Sequence, residues 1–318
     1  MKQSEISFAQ QVKEEIVNAN FSSEHKRAIL AAFIKINGSI SFAKGTSSLV
    51  MKTENADVAK FIYSSLVDIY GLPPRFAFTK MMNFRRRTTY SIIVDNEAEY
   101  ILGDLSINFL EGKIAKNIIN TDDMIAGYLC GAFLASGSVN SPKSSNYHLE
   151  VALNEENYAR WFTKLFTKYK GGQFSAKIVK RRNEYVVYLK KADQIVDFLI
   201  MIGATSSALK FEDIRIEREY QNIGNRLLNL DTANYKKTQD AAKSQIKDIK
   251  IIDKVIGIER IPNRKQKELA KLRLQNEDAS LSELAKLLSL KLEKEVSRSN
   301  VMHTFNAIHK FAVQLKGK

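Results

Sequence analysis

LAAFIKINGSI at residues 30–40 and LCGAFLASGSV at residues 129–139 are two versions of one pattern. Each is a run of apolar and small residues with helical spacing that stops at Asn-Gly or Ser-Gly, and glycine is the expected helix terminator. Gly38 and Gly137 correspond, 99 residues apart. The correspondence continues downstream. LVMKTEN (49–55) matches LEVALNE (149–155), both strands leading to a turn. ADVAKFIYSSLVDIYG (56–71) matches ENYARWFTKLFTKYKG (156–171), with Val58, Ile62 and Leu66 set against Tyr158, Phe162 and Phe166 on one helical face. RRRTTYSIIVD (85–95) matches KRRNEYVVYLK (180–190), half-buried strands by their alternation, and amphipathic helices follow around 97–110 and 192–202.

The sequence is therefore read as a duplication, with repeat 1 over about 20–110 and repeat 2 over about 121–215 of a domain spanning 1–220. Strands separated by hairpin-like or helical links of uneven length predict an α+β fold with antiparallel sheets. Small residues recur at spacings of four in both motif helices: Gly127, Gly131 and Ala135 in one, Ala28 and Ala32 in the other. Such a ridge lets two helix backbones approach closely across a pseudo-twofold axis, although an ordinary core helix can carry one too.

Composition limits the functions available. Lys and Arg exceed Asp and Glu, for a net charge of +14, which points to a polyanionic partner, nucleic acid first and an anionic membrane surface second. Cys130 is the only cysteine and the four histidines (His25, His148, His303, His309) are scattered, so no intramolecular disulfide and no Cys/His zinc site is expected, nor any other metal or cofactor. No apolar run is long enough to span a bilayer, and the amphipathic, acid-containing start MKQSEISFAQQVKEEI argues against a targeting peptide. The expected location is cytoplasmic and nucleoid-associated, with no membrane contact.

Beyond Gly203 the pattern changes. Residues 221–260 read as a solvated helical linker in which Lys236 and Lys237 could touch phosphate. A compact all-α unit is expected over 261–318. Pro262 suits the start of its first helix, Ser280 and Glu283 form a capping-box pattern, and Ser297 can cap a last helix from Arg298 to about Lys316. Val301, Phe305, Ile308 and Ala312 or Leu315 would form the buried face of that helix. This is the layout of a helix-turn-helix, whose last helix offers its first residues to base edges. The candidate readers are Arg298, Ser299, Asn300, His303, Thr304 and Asn306, since Arg can read guanine and Asn adenine in bidentate fashion. A small helical dimerisation module is the alternative.

LCGAFLASG (129–137) and LAAFIKING (30–38) resemble the motif of the LAGLIDADG homing-endonuclease family. Longer stretches extend the likeness: GAFLASGSVNSPKSSNYHLEV, YVVYLKKADQIVDFLIMIGA, NRLLNLDTANYKKTQDAAKSQIKDI and DASLSELAKLL resemble the WhiA family. The resemblance implies a degenerate homing-endonuclease domain joined to a helix-turn-helix, acting in cell division, chromosome segregation and, in spore-forming relatives, transcription of sporulation genes. Active LAGLIDADG enzymes bring one carboxylate from the end of each motif helix to divalent metal ions. Here those positions are Asn37 and Ser136, both neutral, so no catalytic residues and no nuclease activity are expected. Asp122 and Asp123 lie about a dozen residues earlier, roughly 20 Å along the helix, and read as first-turn acids behind a Thr121 cap. In the homing-endonuclease scaffold the sheets form a saddle over DNA. Arg85, Arg86, Arg87 and Lys180, Arg181, Arg182 occupy matching places and could retain a phosphate-binding surface, or merely decorate two hairpin ends. The favoured function is a DNA-binding regulator with double-stranded DNA as partner. A division-linked interaction scaffold with secondary DNA binding is the competing class, and a residual nuclease is disfavoured.

Overall fold

The structure is a computed structural model describing residues 6–43, 46–80, 88–114 and 116–316. The chain divides into two compact units, Met1–Arg218 and Glu219–Lys318.

The first unit is built from the duplication. Repeat 1 runs α2 (Ser23–Asn37), β1 (Gly38–Ala43), β2 (Thr46–Thr53), α3 (Ala56–Tyr70), β3 (Arg75–Lys80), β4 (Thr88–Asp95) and α4 (Ala98–Asp104). Repeat 2 runs α5 (Asp122–Ser136), β5 (Gly137–Val139), β6 (Leu149–Leu153), α6 (Glu156–Lys168), β7 (Lys177–Arg181), β8 (Glu184–Leu189) and α7 (Ala192–Met201). The two sheets have the same antiparallel order, β1-β2-β4-β3 and β5-β6-β8-β7. The fold is thus α+β with two antiparallel sheets, as the sequence predicts. Period-two alternation sets the sheet faces: Leu49 and Met51, cross-strand from Val94 and Ile92, are buried, while Ser48, Val50 and Lys52 take the opposite face. In β6, Leu149, Val151 and Leu153 turn inward in the same way. One helix is shorter than expected: α4 ends at Asp104, and Ser106 adopts φ 52° where a helix over 97–110 was predicted.

The ridge of small residues works through backbone approach. A Cβ on Gly127 would lie 2.6 Å from the His25 carbonyl oxygen, and one on Gly131 would collide with the Ile29 carbonyl. Only glycine lets α2 and α5 cross this closely, and both helices are buried along most of their length. At their N-terminal ends Asp123 accepts hydrogen bonds from Ser22 Oγ (3.0 Å) and pairs with His25 Nδ1 (2.7 Å), while Thr121 caps α5 through the Met124 amide. Cys130 of α5 is fully buried with its Sγ 3.6 Å from the Ile202 carbonyl, and that burial pushes its thiol far above its ordinary range.

A further helix, α1 (Phe8–Val17), buries Phe8, Val12 and Ile16 against the same core. Its Glu15 carboxylate accepts from the backbone amides of Ser206 (2.6 Å) and Ser207 (2.8 Å), the first turn of α8 (Thr205–Ile256). Burial pushes the Glu15 pKa up, but these hydrogen bonds outweigh it and leave the carboxyl below the ordinary glutamate value.

The second unit contains the later part of α8 with α9 (Arg264–Gln275), α10 (Leu281–Leu292) and α11 (Arg298–Lys316). Residues 249 and 252 of the stretch read as a solvated linker are Ile249 and Ile252, fully buried in this core beside Leu269, Leu284, Leu288, Val301, Phe305 and Ile308. Asn263, not Pro262, begins α9: its side chain accepts from the Lys265 and Gln266 amides. Arg273 lies buried, its guanidinium 5.5 Å from the Phe305 ring centroid, and Nη1 donates to the carbonyls of Asn276 and Glu277 (both 3.3 Å) and Ala279 (2.6 Å). It fixes the turn from α9 to α10. The capping box of Ser280 and Glu283 opens α10, and Glu293 closes it in the left-handed conformation at φ 54°.

Candidate nucleic-acid interface

Both motif helices end in side chains already engaged with protein. Asn37 Nδ2 donates to the Ala135 carbonyl (3.1 Å), tying the end of α2 to that of α5, and Ser136 Oγ donates to the Ala152 carbonyl (2.7 Å) in β6. A divalent metal of the kind a LAGLIDADG nuclease uses needs hard anionic oxygens, and this pair of neutral donors does not fit one. Among the described residues no three His, Cys, Asp or Glu side chains are grouped to hold a metal ion. What lies beside Asn37 is basic. A cleft of about 560 Å³ is lined by Asn37, Ala135 and Gly137, by Ser7, Gln10 and Lys13 of the α1 end, and by Lys52 and Glu54. Lys13 Nζ donates to the Leu134 carbonyl (3.2 Å), and burial draws its pKa down to about 8.

In the second unit, Ser297 Oγ accepts from the Asn300 amide (3.2 Å) and starts α11. Arg298, Ser299, Asn300, His303 and Asn306 are all exposed. Ser299, His303, Asn306 and Lys310 follow at spacings of four, three and four, so they form one exposed stripe. Thr304 does not belong to it. It is buried, and its hydroxyl donates to the Asn300 carbonyl (2.8 Å), because position 304 falls between Val301 and Phe305 on the core face. Two basic residues that the sequence reading missed join this surface: Lys310, and Lys265 from α9, whose ammonium donates to Asn300 Oδ1 (2.5 Å). The stripe's far end is held by His309, whose Nδ1 pairs with Asp248 of α8 at 2.7 Å.

The basic triplets are placed differently from one another. Arg85, Arg86 and Arg87 lie outside the described residues. Lys180 shares its sheet face with the inward-turned Leu153 and Tyr185, with Nζ 5.5 Å from the Tyr185 ring centroid. Arg181 takes the opposite face and pairs with Glu150 at 3.1 Å, and Arg182 occupies the β7–β8 turn at φ 57°. Lys236 and Lys237 are exposed on α8.

These features define a class: a duplicated LAGLIDADG scaffold whose motif helices lack the terminal acids, followed by an all-helical unit with a capped, polar-faced last helix. The WhiA N-terminal LAGLIDADG-like domain matches residues 23–108, the WhiA LAGLIDADG-like domain residues 125–221, and the WhiA C-terminal HTH domain residues 225–312. Proteins named probable cell division protein WhiA from Enterococcus faecalis (38% identical) and Lactobacillus gasseri (40%) align over 98% of this chain and 99% of their own. The chain belongs to the WhiA family. A solved structure of full-length DUF199/WhiA from Thermatoga maritima, 24% identical, covers 97% of this chain and 98% of its own with a TM-score of 0.59, which shows the shared fold. No helix among the described residues is long and apolar enough to cross a membrane.

Proposed function

We propose that this chain is a non-enzymatic, sequence-specific DNA-binding regulator, with α11 as its recognition helix, acting in cell division and chromosome segregation through transcriptional control of target genes. The observation that carries the reading is the exposed stripe of α11. Arg298 and Asn300 stand in its first turn, and Ser299, His303, Asn306 and Lys310 run along it, on a helix whose opposite face is locked by Val301, Phe305 and Ile308. A rigid helix with polar side chains that reach base edges at its N-terminal end is what major-groove reading requires. Three features further support it: the WhiA helix-turn-helix match, relatives named as cell division proteins, and the net charge of +14. Residues 261–318 form the reader, packed on Ile249 and Ile252 of the helical stretch 221–260 that precedes it, and 1–220 form the degenerate endonuclease domain. Arg181, Arg182, Lys236 and Lys237 supply phosphate contacts that position without reading. The site of action is the nucleoid in the cytoplasm. Neutral Asn37 and Ser136 support the absence of catalysis.

Selection of bound duplexes from a random library, followed by salt titration on the selected site, tests the reading. The expected result is one enriched sequence whose binding weakens steeply with salt, with a logarithmic slope of several units. An unenriched library with a shallow slope would favour the interaction-scaffold reading.

A further inference from the structure

The centre of the degenerate domain has lost the acids of a nuclease and gained two lysines. The motif-helix ends of this fold meet where a nuclease concentrates negative charge. Here Asn37 is neutral, and Lys13 and Lys52 line the cleft beside it, with Glu54 the one acid on its wall. Lys13 comes from α1, which carries no acid in its first turn and whose capping residue Ser7 lines the same cleft. Its N-terminal amides therefore add partial positive charge, as helix N-termini do at anion sites. Among the described residues, the Leu134 carbonyl takes one of the three N–H donors of Lys13. The half-buried Lys13 ammonium also lies 5.7 Å from the Phe133 ring centroid, and its remaining N–H donors are available to an incoming anion. Lys52 approaches from the sheet face opposite the buried Leu49 and Met51, through which a long polymer can reach the cleft. At about 560 Å³ the opening falls within the usual range for ligand clefts, roughly 300–1,000 Å³.

We propose that this cleft is a phosphate seat, in which Lys13 and Lys52, with the N-terminus of α1, hold one phosphodiester of the DNA backbone at the place where a nuclease of this fold holds its metal ions. The inference rests on the DNA-binding reading and adds a second contact, one that carries no sequence information. A free mononucleotide offers the same phosphate chemistry. A duplex is favoured because Lys52 and Thr89 extend the cleft onto an open sheet face.

The test uses the full chain and its selected duplex, with the variants K13Q, K52Q and the pair, and with K13R as the conservative rescue. Binding is measured at several salt concentrations on the selected site and on a mismatched duplex. K13Q and K52Q should each weaken binding by the same factor on both duplexes and make the salt slope shallower, by about one for the lost phosphate. The preference for the selected site should be unchanged, and K13R should restore the slope. Melting curves show whether K13Q remains folded, and exposed Lys52 provides the variant least able to disturb the core. A parent that binds DNA while K13Q and K52Q keep its full slope overturns the seat and leaves the DNA reading intact. A parent that binds no duplex overturns the DNA reading, and the seat with it. If millimolar AMP raises the melting temperature of the parent but not of K13Q, and the slopes stay equal, the occupant is a mononucleotide and the proposed DNA contact is wrong.

Discussion

Replacing Gly131 with alanine adds one methyl group at the tightest point of the α2–α5 crossing, where it would collide with the Ile29 carbonyl and crowd the Ile29 Cα. Backbone cannot rotate out of the way as a side chain can, so the helices must separate. Overpacking of this kind costs up to about 3 kcal/mol, and the better helix propensity of alanine returns about 1 kcal/mol, leaving a net loss of about 2 kcal/mol. For a unit of this size that lowers the melting temperature by roughly 4–8 °C. Gly224 provides the control: it lies within α8 with nothing within 4 Å of a Cβ, so the same substitution there should stabilise by up to about 1 kcal/mol. Calorimetry on the full chain reads both changes, and hydrogen exchange at the α2 and α5 amides localises the first. If Gly131→Ala is as stable as the parent, with unchanged protection in α2 and α5, the two helix backbones do not meet there and the dyad packing is wrong.

Arg273→Ala should destabilise the C-terminal unit by roughly 2–4 kcal/mol, because it empties a buried volume beside Phe305 and removes the donor shared by three turn carbonyls. Chemical denaturation followed in that unit checks it, and a loss below about 0.5 kcal/mol would contradict it. Glu15→Gln should cost about 1 kcal/mol at neutral pH, as loss of a charged cap on α8. The folded-state pKa of Glu15 is lowered, so its contribution is complete above the ordinary glutamate pKa and disappears as pH falls through the native value. Parent and variant should therefore converge in stability in acid, and a gap that persists there would show that the effect is not the carboxylate's. Purified protein should leave supercoiled and linear DNA uncut in Mg²⁺ or Mn²⁺, and metal-dependent cleavage lost on mutating Asn37 or Ser136 would restore the nuclease reading.

The duplication was legible because its signals are local and repeated: glycine stops after two helices, period-two strands, and matched apolar spacing at Val58, Ile62 and Leu66. The caps at Thr121, Ser280 and Ser297 were legible for the same reason, since a hydroxyl and the amides it caps are neighbours in sequence. Thr304 was misplaced by a single step in helical phase: residue 304 adjoins two core positions, and a threonine there satisfies its hydroxyl within its own helix. The burial of Ile249 and Ile252 was masked by the Lys and Asp residues interleaved with Ile246, Ile249, Ile251, Ile252 and Ile256, because an amphipathic stripe in a charged helix does not by itself name the helices it packs on. Lys13 and Lys265 were missed because their significance lies in what is brought beside them, Leu134 and Asn300, residues 121 and 35 positions away.

α11 reads base sequence while the rest of the basic surface only positions the protein, a division of labour that binding of Arg298→Ala and Asn300→Ala to matched and mismatched duplexes resolves. Each substitution should cost roughly 1–3 kcal/mol on the preferred site and relax preference at one or two base pairs. Arg181→Ala, in the sheet, should weaken binding equally on every duplex. If the Arg298 and Asn300 variants lose affinity by the same factor on all sequences, α11 is not the reader, and the assignment of this helix fails.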